Sequence, residues 1–116
     1  SALRARKRQT RRFLRALYKT GRLSELHAAT ETFRPSPAVE VFEAGYEELE
    51  RQLRPGGGRN IASVERAMRA ETGDQISALE SRMSWLATIP AATRVVRELF
   101  SVSVQKQLRI LPTDSR

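Results

Sequence analysis

Two runs of apolar residues constrain this chain more than any other feature: each recurs every three or four positions, and Pro55, Gly56, Gly57 and Gly58 separate them. The first is Val39, Phe42, Tyr46, Leu49 and Leu53; the second is Ile61, Val64, Met68, Thr72, Ile76, Leu79, Met83 and Leu86. Such spacing lines side chains along one face of a helix. Both seams need covering, and a short proline-glycine turn lets one fold back on the other. The expectation is an all-α chain, an elongated antiparallel helical hairpin or bundle, with a basic helix before it and a further helix toward the C-terminus.

Local signals set the ends. Ser36 followed by Pro37 starts a helix, because the hydroxyl accepts from free amides and proline at the first position forfeits no hydrogen bond. Glu40, Glu43, Glu47 and Glu50 form a stripe beside the first seam, with Glu47 to Arg51 and Glu50 to Arg54 as supporting pairs. Asn60 or Ser63 caps the next helix, which the pattern carries to Ile89, roughly 40 Å over about 27 residues. Gly73 within it is either a close helix crossing or flexible point, or a tolerated exposed glycine. Upstream, a helix from Ala2 to Thr20 ends at Gly21, with Phe13, Leu14, Leu17 and Tyr18 as its apolar face and only its second half suited to packing. A short helix capped by Ser24 follows and stops before Pro35.

Charge is unevenly placed. Of 21 basic residues, nine (Arg4, Arg6, Lys7, Arg8, Arg11, Arg12, Arg15, Lys19 and Arg22) precede the first acidic residue, Glu25. The remainder is close to neutral, so the net charge of +8 belongs to the N-terminal arm. An arm of this kind grips nucleic-acid phosphates, lies on anionic lipid, marks the cytoplasmic end of a membrane helix, or only keeps a face solvated. No apolar stretch approaches the length of about 20 residues that spans a bilayer, and no signal-peptide core interrupts the basic segment. The expectation is a chain soluble as given.

Little here supports catalysis. There is no cysteine. The one histidine, His27, has only Glu25 and Glu31 near it in sequence, so it reads as packed or solvated rather than as a metal ligand. Ser63, Ser77, Ser81 and Ser84 lack a base, and the carboxylate pairs Glu47 with Glu48 and Glu71 with Asp74 sit on helices in water and make poor acid/base pairs. Arg59 and Asn60 follow the glycines where a phosphate loop needs lysine and a hydroxyl. No enzyme, cofactor, metal or small-molecule substrate is expected.

The segment Val64, Glu65, Arg66, Ala67, Met68, Arg69, then Ile76, Leu79, Glu80, Met83, Leu86, Ala87, Thr88 and Ile89, resembles the helix that leads from the cytoplasm into the second membrane span of TolQ and ExbB proteins. The earlier Val41, Phe42, Glu43, Ala44, Gly45, Tyr46, Glu47, Glu48 and Leu49, preceded by a basic helix and a linking helix, is similar to the cytoplasmic loop of the same TolQ/ExbB/MotA family. The resemblance covers Leu3 to Ile89. It implies a cytoplasmic domain, residues 1–89, of an inner-membrane subunit that couples the proton motive force to mechanical work on the cell envelope. It also implies partners: further copies in a five-fold ring and a TolR-, ExbD- or MotB-like subunit. Under this reading Arg4, Arg6, Lys7, Arg8, Arg11, Arg12 and Arg15 contact anionic lipid at the membrane boundary.

Residues 90–116 depart from the family. Pro90, Arg94, Arg97 and Glu98 fall where a membrane helix would run, and charges at that density oppose insertion. Val95, Leu99 and Val102 allow an amphipathic helix with Phe100 at its edge. An excised domain and a membrane-less relative both fit; the first is adopted, giving a structural and assembly module without its own ion path. The alternative is a basic helical module binding nucleic acid or another anionic surface, with Phe13 and Tyr18 as its candidate stacking groups and no recognised reading motif.

Overall fold

A computed structural model describes residues 2–78 and 88–108, and within them every regular element is helical. The basic segment forms α1, Ala2–Thr20. It stops at Gly21, which takes φ 61° and donates its N–H to the Leu17 carbonyl at 3.3 Å. A side chain would be strained in that left-handed conformation, so glycine lets the chain turn there. The short α2, Leu23–Ala28, and a 3-10 turn, Thr30–Phe33, follow. Ser24 does not cap α2: the helix opens two residues earlier, with Arg22 at the cap position and no side-chain cap bond. Starting at Leu23 sets Leu23 and Leu26 one turn apart on a common face, and both are buried.

Ser36 caps α3, Pro37–Leu53, accepting from the amides of Ala38 at 3.1 Å and Val39 at 3.4 Å. Asn60 caps α4, Ile61–Ala78, its Oδ1 accepting the Ala62 N–H at 2.9 Å. Moving away from the loop, Gln52 meets Asn60 and then Gly45 meets Met68, the pairing of an antiparallel hairpin. α5, Thr88–Leu108, lies across the hairpin and reaches α1 as well. The molecule measures 45 × 25 × 19 Å along its principal axes.

One apolar core joins the five α-helices of the described residues. Phe13 and Leu17 of α1, Leu26 of α2, Val39, Val41, Phe42 and Leu49 of α3, Ile61, Val64 and Met68 of α4, and Val96, Phe100 and Val104 of α5 are buried in it. At its centre the Phe42 ring meets Phe13 edge-on at 5.3 Å and Phe100 edge-on at 5.4 Å, the geometry aromatic quadrupoles favour.

The seams hold in part. Val39, Phe42, Leu49, Ile61, Val64 and Met68 are buried, Tyr46 and Ile76 are half-buried, and Leu79, Met83 and Leu86 lie outside the described residues. Leu53 is 38% exposed, because the inward position at that end of α3 belongs to Gln52, which turns in to close the loop. Ala38, Val41 and Gly45 are buried too, since α3 is covered from both sides and uses a wider face than a two-helix seam.

Three further expectations change. In α1 Tyr18 stands exposed, while the first half of the helix is docked by polar contacts. Thr10 Oγ1 and Ser36 Oγ share a buried hydrogen bond of 2.7 Å, and Gln9 Nε2 donates to the carbonyls of Thr32 and Arg34 at 3.1 and 2.8 Å. Arg51 pairs with Glu48 rather than with Glu47, because Glu48 lies on the side of α3 that faces the loop. On α5, Val95 and Val102 are exposed, and the inward face is Ile89, Ala92, Val96, Phe100 and Val104. Phe100 is thus central, not at an edge, since Gly45, with no side chain, admits its ring where a longer residue would hold the helix off.

Candidate anionic-surface interface

The cations of α1 divide by helical geometry. Arg4, Arg8, Arg11, Arg15 and Lys19 are separated by four, three, four and four residues, so they fall within an arc of about 80° along roughly 22 Å of helix. All five are exposed. Thr10, Phe13 and Leu17, on the opposite side, are buried at 3%, 0% and 1% exposure. Packing of one face therefore fixes the cationic row in water. Arg6 and Lys7 flank the core face and are half-buried.

Arg12 has a different task. Its Nη1 donates to the Thr32 carbonyl at 3.0 Å, and its guanidinium lies over the Phe33 ring at 4.9 Å, clamping the 3-10 turn to α1. Arg22 forms an exposed pair with Glu25 at 3.1 Å. Arg8, Arg11, Arg15 and Lys19 take part in no ion pair among the described residues. Like charges at this spacing disfavour a helix by a few tenths of a kcal/mol per pair, and cations near its N-terminus oppose the helix dipole. An external anion relieves both effects.

Other titratable groups are engaged structurally. His27 does not approach Glu25 or Glu31; its Nδ1 lies 2.8 Å from Glu43 Oε2 and its ring stacks on Tyr46 at 4.1 Å. Burial, and then the charges of Glu50 and Glu43, raise the Tyr46 phenol above its ordinary value. Among the described residues no three metal-ligating side chains come together. The glycine turn is shaped by its own backbone: Gly56 takes φ 84°, and a Cβ on Gly57 would stand 2.6 Å from the Gln52 carbonyl oxygen. Gly73 meets nothing within 4 Å and is exposed, so it is not a close helix crossing; that crossing is at Gly45.

Two features escaped the sequence reading. Arg69 of α4 and Arg94 and Arg97 of α5 share an open cleft; burial first, then the neighbouring Arg69 and Arg94, lower the Arg97 guanidinium from its usual value. Their spacing was legible, but their meeting with Arg69 depends on how α5 crosses α4. Likewise Tyr18 lines one groove with Leu99, Val102 and Lys106 of α5. Comparison with family models, with curated proteins and with solved structures finds no match.

Proposed function

We propose that this chain is the cytoplasmic helical part of a TolQ/ExbB/MotA-type subunit, a non-catalytic module that rests on the anionic face of the inner membrane through α1 and extends a ring of such subunits. The observation that carries this reading is the row Arg4, Arg8, Arg11, Arg15 and Lys19, exposed along one side of a helix whose other side is locked in the core. A straight row suits a flat anionic surface, where each basic residue contributes about 1 kcal/mol. The order of segments supports the family: a basic helix, a linking helix, a helix capped by Ser36, and a second seam from Ile61. The family's ion path belongs to its membrane helices, and no helix among the described residues is long and apolar enough to cross a membrane. The role left to this part is support for the ring and its TolR-, ExbD- or MotB-like partner.

Nucleic acid fits less well, because Phe13 is fully buried and Tyr18 alone remains of the two stacking groups. Co-sedimentation with vesicles of phosphatidylcholine, with and without an equal part of phosphatidylglycerol, tests the reading beside a duplex DNA titration in salt. Binding to the anionic vesicles, weakened by salt and abolished by the pair Arg8→Glu and Arg15→Glu with an unchanged circular dichroism spectrum, is expected. Tighter, base-dependent binding to duplex would replace the membrane reading. The family assignment has its own test: a TolQ-type subunit carrying Leu3 to Ala78 of this chain in place of its own segment should co-purify with its TolR-like partner.

A further inference from the structure

The end of α1 and the outer face of α5 carry something a purely electrostatic contact does not need. Tyr18 is 78% exposed and Val102 57% exposed, the two most exposed large apolar side chains among the described residues. Both line one groove, floored by Leu17 and half-buried Leu99, with Lys106 at its rim. On the other flank of Tyr18, Leu14 forms a second shallow apolar depression edged by Arg15 and Lys19. No carboxylate lines either depression. Tyr18 also lies one turn from Arg15 and two from Arg11, so it borders the cationic row itself.

We infer that this edge is a membrane-insertion wedge. Tyr18 and Val102 enter the headgroup layer of an anionic phospholipid bilayer while Arg11, Arg15, Lys19 and Lys106 hold the lipid phosphates around them. The inference rests on the membrane reading above and deepens it, adding a penetrating apolar contact to a surface electrostatic one. Charge complementarity selects the occupant: apolar side chains with Lys106 on one side and Arg15 and Lys19 on the other match acyl chains beneath phosphates, and the cleft that Val102 also borders holds Arg69, Arg94 and Arg97 against Glu65 and Glu98. Exposure agrees, because the two residues are 78% and 57% exposed, apolar surface that a deformable layer can cover. Tyrosine, apolar in its ring and polar at its tip, suits that depth. Binding of this kind combines apolar burial with attraction to anionic lipid, so part of it survives added salt.

The chain has no cysteine, so one introduced thiol can be labelled cleanly. Val102→Cys carrying an environment-sensitive nitrobenzoxadiazole dye is compared with Ser77→Cys, an exposed position on α4, during titration with equimolar phosphatidylcholine and phosphatidylglycerol vesicles. The expected result is a blue shift and brightening at 102 with none at 77. Co-sedimentation without a spectral change at 102 would overturn the wedge and leave the α1 row as the contact; no co-sedimentation would overturn both. The unlabelled Tyr18→Ser variant, altered at a site too exposed to disturb folding, should bind about tenfold more weakly at raised salt. Wild-type affinity in that variant would equally overturn the wedge.

Discussion

The Gln52 side chain forms a two-point hydrogen-bonded pair with the backbone of Asn60: Nε2 donates to the carbonyl oxygen and Oε1 accepts the N–H, each at 2.9 Å. The carboxamide thus stands in for a peptide group and closes the mouth of the glycine turn. Gln52 is only 5% exposed, so truncation leaves backbone groups short of partners in a poorly hydrated place. Gln52→Ala should destabilise the fold by about 2 kcal/mol in urea denaturation, with the far-ultraviolet spectrum kept.

The same amide donates to Glu48 Oε2 at 2.9 Å. This hydrogen bond, more than the guanidinium of Arg51, holds the Glu48 carboxyl below its ordinary value of 4.5. A carboxyl depressed in the folded state adds stability that is complete above the unfolded value and is lost as pH falls through the folded one. Stability should therefore decline as pH drops below about 4.5, and the decline should be shallower in Gln52→Ala. Denaturation midpoints across acidic pH give both slopes; equal slopes would detach Glu48 from this effect.

Gly45 and Gly73 both sit in helices, yet the same substitution should act in opposite directions. A Cβ on Gly45 would stand 2.8 Å from Met68 Cγ and Sδ and 3.3 Å from Phe100 Cζ, and Met68, fully buried, has no room to withdraw. Gly45→Ala should lose about 1–2 kcal/mol after its gain in helix propensity. Met68→Ala in the same chain should reduce that loss, the non-additivity expected of neighbours. Gly73→Ala, in open space, should gain about 0.5–1 kcal/mol. Thermal melts of the four variants decide the matter.

Phe100 tests whether α5 belongs to the core. Phe100→Ala removes a fully buried ring from the Phe42 cluster and should lose about 3–5 kcal/mol. Val102→Ala, two residues on and exposed, should change stability by less than about 0.5 kcal/mol. Similar losses from the two would place the inward face of α5 on Val95, Leu99 and Val102.

The readable parts of the sequence share one property: their cause is local. Ser36 and Pro37 start α3 by capping their own neighbours, Gly21 ends α1 through its own φ, and the interval from Leu49 to Val64 brings two apolar periods together across a turn. The cationic arm was legible as a run of charge, but the exposed row was not: Arg6 and Lys7 are half-buried and Arg12 is drawn to the 3-10 turn, while Lys19 joins the row. Periodicity failed on α5, where the exposed set Val95 and Val102 is as apolar as the buried set Val96 and Val104.

The sequence by itself therefore determined the hairpin, the end of α1, the starts of α3 and α4 and the concentration of positive charge on α1, but not that Thr88 and Ile89 open α5. Only the tertiary structure decided which face of α5 turns inward, that Gly45 rather than Gly73 admits a neighbouring helix, that Gln52 displaces Leu53 at the loop, and that Tyr18 and Val102 line one groove. The physical reason is common to all four. Each depends on contacts between different helices or across the loop, and close packing such as that of Met68, Phe42 and Phe100 admits one arrangement where helical periodicity admits several.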